Sequence, residues 1–65
     1  MYKLGRRIFQ RRRELGMTQN VLAERVGISR EHLAKIETGI RHLSIELLFK
    51  IAKELDTMVK DLFEF

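Results

Sequence analysis

Apolar residues recur every three or four positions through most of this chain, which is the spacing of amphipathic helices. The spacing predicts five helices, over residues 2–15, 18–26, 29–38, 45–55 and 59–63. The inward stripe of the first is formed by Leu4, Ile8 and Leu15, and that of the fourth by Ile45, Leu48, Ile51, Ala52 and Leu55. The sequence therefore predicts an all-α fold.

The second and third predicted helices are joined by a short turn, Val26-Gly27-Ile28. Gly27 stands where a chain leaving a helix takes a positive φ, which glycine adopts at little cost. Ser29 follows, and its hydroxyl is placed to cap the next helix. Residues 18–39 therefore form a helix-turn-helix unit, whose second helix often enters the DNA major groove.

The helix over residues 29–38 has one apolar side and one polar side. Leu33 and Ile36 are expected to pack inward. The opposite side carries Arg30, Glu31, Ala34, Lys35 and Thr38. Arginine and lysine pair with guanine edges and with phosphates, so this side suits groove reading. The alternative is that it is an ordinary solvated face.

Composition limits what the chain does. Its 65 residues suffice for a single domain, predicted over 1–65, and 13 basic against 9 acidic residues give a net charge of +4. This balance favours an anionic partner. The chain has no cysteine, no apolar run near the roughly 18 residues of a membrane span and no signal peptide, which predicts a cytoplasmic protein with no membrane partner.

The first helix is the most basic segment, with arginines at positions 6, 7, 11, 12 and 13. A basic amphipathic helix could also lie on a membrane surface. We disfavour that interpretation because the fold needs the apolar stripe and two arginines interrupt its edges.

Apolar side chains exceed what one small core needs near the C-terminus. Two explanations stay open, a homodimer contact or a return of the terminal phenylalanines onto Tyr2, Phe9 and Phe49. The residues predicted for the dimer contact are Leu47, Phe49, Phe63 and Phe65.

Together these residues resemble the lambda-repressor-like helix-turn-helix domains of the XRE family of bacterial and phage regulators. The resemblance is carried by Thr18-Gln19, Leu22-Ala23, Gly27-Ile28-Ser29, Leu33, Ile36-Glu37 and Gly39, and then by Ile45, Leu48, Ile51-Ala52, Leu55 and Leu62-Phe63. It implies a compact five-helix domain whose third helix enters the major groove of double-stranded DNA. Within the family, Ser29-Arg30-Glu31-His32 and Arg41-His42-Leu43-Ser44 faintly resemble restriction-modification controller proteins, while phage repressors and antitoxins stay open.

The resemblance also implies roles for individual residues. Gln19 matches a phosphate ligand, and Arg30, Glu31 and Lys35 match base-contacting positions. Thr38 and the 40–43 loop match the backbone grip, with Arg41 as a phosphate ligand. The complete predicted DNA-binding set is Thr18, Gln19, Ser29, Arg30, Glu31, Ala34, Lys35, Thr38, Arg41 and His42. Arg12 and Glu37 match an ion pair inside the fold.

Four positions depart from the family pattern or are unusual in it. Arg11 replaces a common aliphatic residue, Asp56 a common glycine, and Met58 the usual cap of the fifth helix. Glu31 would accept from cytosine N4, adding specificity without affinity, or would instead pair with Lys35 one turn along the helix.

Other chemistry finds little support in the sequence. His32 and His42 lack a third ligand at metal-site spacing, and no nucleophile and base form a catalytic set. We therefore predict no catalytic residues, no metal, no cofactor and no small-molecule substrate. The predicted function is a sequence-specific transcriptional regulator, of the repressor type that the resemblance implies, working as a homodimer on a palindromic operator. The alternative is an antitoxin-like protein-interaction module without strong DNA binding.

Overall fold

A computed structural model of the chain describes residues 2–64, and the predicted all-α, five-helix fold is confirmed there. The helices are α1 (Tyr2–Glu14), α2 (Gln19–Val26), α3 (Arg30–Glu37), α4 (Ile45–Glu54) and α5 (Val59–Leu62). They occupy a volume measuring 25 × 23 × 20 Å along its principal axes.

One hydrophobic core receives side chains from all five helices. Its fully buried large members are Ile8, Leu22, Leu33, Ile36, Ile51, Leu55 and Leu62. Helix α3 packs against both α1 and α2, α2 also packs against α4, and α5 is held between α4 and α1. Because two neighbours cover the inner side of α3, its orientation is fixed by the core.

The helix-turn-helix unit is built by the local signals that predict it. Thr18 Oγ1 accepts a hydrogen bond from the Val21 N–H at 3.1 Å, and Ser29 Oγ accepts one from the His32 N–H at 3.0 Å. Gly27 has φ 80°, and the Ile28 N–H donates to the Ala23 carbonyl at 3.0 Å. These bonds satisfy the free backbone groups at the helix ends, so the turn is specified by adjacent residues.

Two residues predicted for the inward stripes lie outside them. Leu15 is 39% exposed, because α1 ends at Glu14 and the chain leaves the helical face before reaching it. Ile45 is 69% exposed because it opens α4 at the edge of the stripe, on the same side as Phe49. In α1 the inward face is continued by Arg12, which is buried.

The three departures from the family pattern near the C-terminal turn have structural consequences. Arg11 Nε donates to the Leu55 carbonyl at 3.0 Å, and its Nη2 donates to the Asp56 carbonyl at 3.3 Å. Asp56 takes a left-handed φ of 51° at the end of α4. Met58 precedes α5 without giving it a side-chain cap. The Arg11 guanidinium therefore caps carbonyls that the end of α4 leaves free.

Gly5 lets α1 approach α3 more closely than any side chain would allow. A Cβ at this position would lie 2.7 Å from the Glu37 carbonyl oxygen and still closer to that of Ile36. Both obstacles are backbone atoms, which cannot swing aside as a flexible side chain can. The distance between α1 and α3 therefore depends on glycine here.

We expect Gly5→Ala to lower the free energy of unfolding by roughly 1–3 kcal/mol or more, because α1 and α3 must separate to admit the methyl group. Urea denaturation followed by circular dichroism measures the change. Gln10→Ala, at an exposed position of the same helix, serves as the control and should change stability by less than about 0.5 kcal/mol. Equal stability of the two variants would contradict the close approach.

Candidate nucleic-acid interface

The outward side of α3 presents the side chains predicted to contact DNA. Arg30, Glu31 and Lys35 are exposed and Ala34 is half-buried, while Leu33 and Ile36 face the core. The predicted alternative of a Glu31–Lys35 ion pair is not present among residues 2–64. Both side chains therefore extend outward as separate charges.

The loop after α3 continues this surface. Thr38 is the C-terminal cap of α3, and its hydroxyl donates to the Ala34 and Lys35 carbonyls at 3.1 and 3.2 Å. Arg41 and His42 are exposed in the following loop. The hydroxyl hydrogen of Thr38 is thus used inside the helix, whereas the donors of Arg41 and His42 face solvent.

A buried ion pair lies directly behind this surface. Arg12 Nε donates to Glu37 Oε2 at 2.7 Å, and Arg12 Nη2 donates to Glu37 Oε1 at 3.1 Å. Arg12 Nη1 also donates to the Met17 carbonyl at 2.7 Å. This two-bond geometry between guanidinium and carboxylate fixes both side chains, so it joins α1 to the last turn of α3.

Gln19 carries the same network to the surface. Its Nε2 donates to Glu37 Oε1 at 3.0 Å, and its Oε1 accepts from Arg30 Nη1 at 3.4 Å. The first residue of α2 and the first residue of α3 are therefore held together through one amide. Neither of these two hydrogen bonds uses the second N–H of the amide.

The two capping hydroxyls complete the N-terminal ends of α2 and α3. Thr18 and Ser29 use their oxygens as acceptors for backbone N–H groups, which leaves their hydroxyl hydrogens as donors. Thr18, Gln19 and Arg30 line one cleft together with Arg13. Donors and a helix N-terminus therefore meet at one place, an arrangement suited to an anion.

The residues predicted for a dimer contact differ in their exposure. Leu47 is half-buried and packs against the core, whereas Phe49 and Phe63 are 59% and 48% exposed. Phe65 lies outside the described residues. The alternative prediction was that the terminal phenylalanines pack back onto the domain. For Phe63 such packing is at most partial, since about half of its surface is exposed.

Sequence reasoning missed the Gln19–Glu37 hydrogen bond and the contacts of Arg7 and Arg11 with backbone carbonyls. Arg7 Nη2 donates to the Asp61 carbonyl at 3.3 Å, across 54 positions of the chain. A long guanidinium reaching a distant carbonyl has no local sequence signal, so only the tertiary structure reveals it.

Within the described part of the chain, no helix has the length and apolar character needed to cross a membrane. No three His, Cys, Asp or Glu side chains of residues 2–64 are grouped so as to hold a metal ion.

Comparison with known proteins gives consistent similarities. Residues 8–59 match the family model described as helix-turn-helix. An uncharacterised HTH-type transcriptional regulator of Archaeoglobus fulgidus is 41% identical over 59 residues, covering 91% of this chain and 84% of that protein.

Solved structures resemble the fold as well. The restriction-modification controller protein C.AhdI from Aeromonas hydrophila has a TM-score of 0.89 at 33% identity, covering 94% of this chain and 92% of that one. SinR, an HTH-type transcriptional regulator of Bacillus subtilis and a master regulator for biofilm formation, has been solved in complex with DNA. That structure has a TM-score of 0.86 at 35% identity, covering 94% of this chain and 98% of that one.

We expect Arg12→Met to lower the free energy of unfolding by about 3–5 kcal/mol, since it leaves the Glu37 carboxylate buried without its cation. Arg12→Met/Glu37→Met should lose much less, because it removes both charges together. Urea denaturation of both variants and of Glu37→Met gives the coupling energy of the pair.

Arg25→Met is the matched control, because Arg25 makes an exposed contact of 3.9 Å with Glu54 and such pairs contribute about 1 kcal/mol or less. A loss for Arg12→Met no larger than for Arg25→Met would show that the buried pair does not hold α1 to α3.

Proposed function

This chain belongs to the helix-turn-helix family of DNA-binding transcriptional regulators, and from that premise we propose that it recognises a specific duplex sequence as a homodimer. The observation that carries the proposal is the outward face of α3, whose cationic side chains stand over a buried Arg12–Glu37 pair. A surface fixed from behind can present its donors in one arrangement, as base reading requires. The solved complex of SinR with DNA supports the same use of the fold.

In the proposed complex α3 lies in the major groove. Arg30 and Lys35 donate to base edges, for which guanine O6 and N7 are the favoured acceptors. Ala34, between them on the same face, leaves space for a base or a thymine methyl group. Glu31 repels phosphates and accepts from cytosine N4, so it contributes selection and reduces affinity for other sequences.

Phosphates are bound around α3 in this proposal. Thr18, Gln19 and Ser29 bring donors and the N-terminal ends of two helices to one strand of the duplex. Arg41 and His42 lie beyond the C-terminal end of α3, where Arg41 supplies the full charge. Thr38 caps that end of the helix with its hydroxyl, so the proposal gives it no phosphate. These contacts position the domain and give its salt-dependent affinity, whereas the bases select the site.

The proposed homodimer is supported by the small number of base-contacting side chains and by the exposed apolar surface. One helix contacts few base pairs. In a palindromic operator, α3 of a second copy binds the other half-site, about 34 Å along the duplex. The domain measures 25 Å along its longest axis, so two adjoining copies fit on one face of the duplex at that spacing. Ile45 and Phe49 of α4, together with Phe63, offer apolar area for the contact.

The cytoplasmic location predicted from the sequence is part of this proposal, since the protein acts where the genome lies.

A second candidate, a protein-interaction module using the same fold, is favoured by the exposure of Phe49 and Phe63. Salt titration with random duplex DNA separates the two, because DNA binding predicts a log–log slope of about −0.9 per phosphate contacted. An interaction module predicts negligible binding of DNA at moderate salt.

Selection of bound duplexes from a random pool is expected to recover a palindrome. On that site, Arg30→Ala and Lys35→Ala should each weaken binding by about 1–3 kcal/mol, because each removes a base contact. Fluorescence anisotropy with the selected duplex and with random duplex measures the change. Lys53→Ala, an exposed cation of α4, is the control with the same loss of charge.

An equal loss on selected and random duplex would assign Arg30 and Lys35 to phosphates and contradict their proposed role. If the selection recovers no preferred sequence but binding still depends on salt, the protein binds DNA non-specifically and the proposed sequence recognition is wrong.

We expect Phe49→Ser and Phe63→Ser to shift the monomer–dimer equilibrium toward monomer, because each removes apolar area from the proposed contact. Sedimentation equilibrium over a range of protein concentrations measures the dissociation constant. Leu15→Ser makes the same kind of change at the end of α1, where no contact is proposed. A dimer weakened by Leu15→Ser and unaffected by the other two would move the interface to a different surface.

A further inference from the structure

Helix α1 carries a row of guanidinium groups around one aromatic ring. The Cζ atoms of Arg6, Arg12 and Arg13 lie 5.6, 5.3 and 5.7 Å from the centre of the Phe9 ring. Arg12 is buried against Glu37, whereas Arg6 and Arg13 are exposed. We call the surface formed by Arg6, Phe9 and Arg13 the α1 ridge.

The two exposed arginines of the ridge are not used by the fold. Arg7 and Arg11 donate to backbone carbonyls, and Arg12 donates to Glu37. Among residues 2–64, Arg6 and Arg13 have no ion pair and donate no hydrogen bond to a protein group. Their contact with the Phe9 ring holds the guanidinium groups at the surface while leaving their N–H donors free for a ligand.

The ridge runs beside the outward face of α3. Arg6 and Phe9 share a cleft with Ala34 and Thr38 of that helix. Arg13 shares the other cleft with Thr18, Gln19 and Arg30, at the N-terminal ends of α2 and α3. The two free guanidinium groups therefore stand near opposite ends of α3, on its α1 side.

We propose that Arg6 and Arg13 bind backbone phosphates of duplex DNA on the wall of the groove that α3 occupies. The inference rests on the proposed function, because it takes α3 to be the helix in the groove. A helix fills the major groove, about 12 Å wide, so groups beside it meet the sugar-phosphate strands. Guanidinium binds phosphate through two parallel hydrogen bonds, and arginine keeps its charge at all physiological pH values.

These contacts add affinity without sequence selection. Phosphates are the same at every site, so losing a phosphate ligand weakens binding to selected and random duplexes equally. Losing a base contact instead lowers the preference for the selected duplex. The ridge and the α3 face are therefore distinguishable by the ratio of the two affinities.

The experiment compares the wild-type chain with Arg6→Gln, Arg13→Gln and the double variant, by fluorescence anisotropy across a salt series. Each single change should reduce the magnitude of the log–log salt slope by about 0.9, and the double change by about 1.8. The ratio of affinities for selected and random duplex should stay at the wild-type value.

Arg25→Gln is the matched control, since it removes the same charge from an exposed arginine beside Glu54 of α4. Its salt slope should equal that of the wild type. Arg6→Lys/Arg13→Lys keeps both charges and should retain most of the wild-type slope. Circular dichroism checks that each variant is folded.

A double variant that keeps the wild-type slope overturns the assignment of the ridge and leaves the proposed function standing. A changed affinity ratio also overturns it, because it places the arginines on base edges. Absence of salt-dependent binding by the wild-type chain overturns the proposed function and this inference together.

Discussion

The buried Arg12–Glu37 pair is the interaction on which the arrangement of the other functional groups depends. Two charges taken out of water cost free energy unless their hydrogen bonds are satisfied. Here the Met17 carbonyl and the Gln19 amide supply the additional partners. The pair therefore joins α1, the start of α2 and the end of α3 at one point, directly behind the surface proposed to meet DNA. Gln19 also accepts a hydrogen bond from Arg30, so the same network extends to an exposed side chain of α3.

Helix α1 shows how one residue type serves different purposes in a basic segment. Arg7 and Arg11 satisfy carbonyls near α5 and at the end of α4, and Arg12 satisfies Glu37. Only Arg6 and Arg13 remain for an external anion among the arginines of this helix. Bonds to neutral carbonyls leave the charges of Arg7 and Arg11 unchanged, but they occupy N–H donors of both side chains. Fewer arginine donors are therefore available to a partner than the composition suggests.

The features predictable from the sequence are those set by neighbouring residues. Thr18, Gly27 and Ser29 act on backbone groups within a few positions, so their pattern alone predicts the helix ends. Leu15 and Ile45 were predicted wrongly because periodicity does not say where a helix stops covering its neighbours. The Arg12–Glu37 pair was predicted only through the family resemblance. The hydrogen bond of Gln19 with Glu37 spans 18 positions, and it depends on how α2 meets α3, which no local pattern encodes.

Phosphate contacts and base contacts are made by different side chains in the proposed complex, and this division affects how the domain selects DNA. In the proposed complex most of the cations near α3 bind phosphates, which are present on every duplex and give affinity without sequence selection. The side chains proposed to contact bases are few, and in the proposed complex Glu31 among them weakens binding wherever cytosine is absent. A monomer with many phosphate contacts and few base contacts would bind nearly any sequence. In the proposed dimer two copies of α3 contact two half-sites, which multiplies discrimination. The salt-dependent phosphate contacts of each copy allow it to search non-specific DNA before both half-sites are bound.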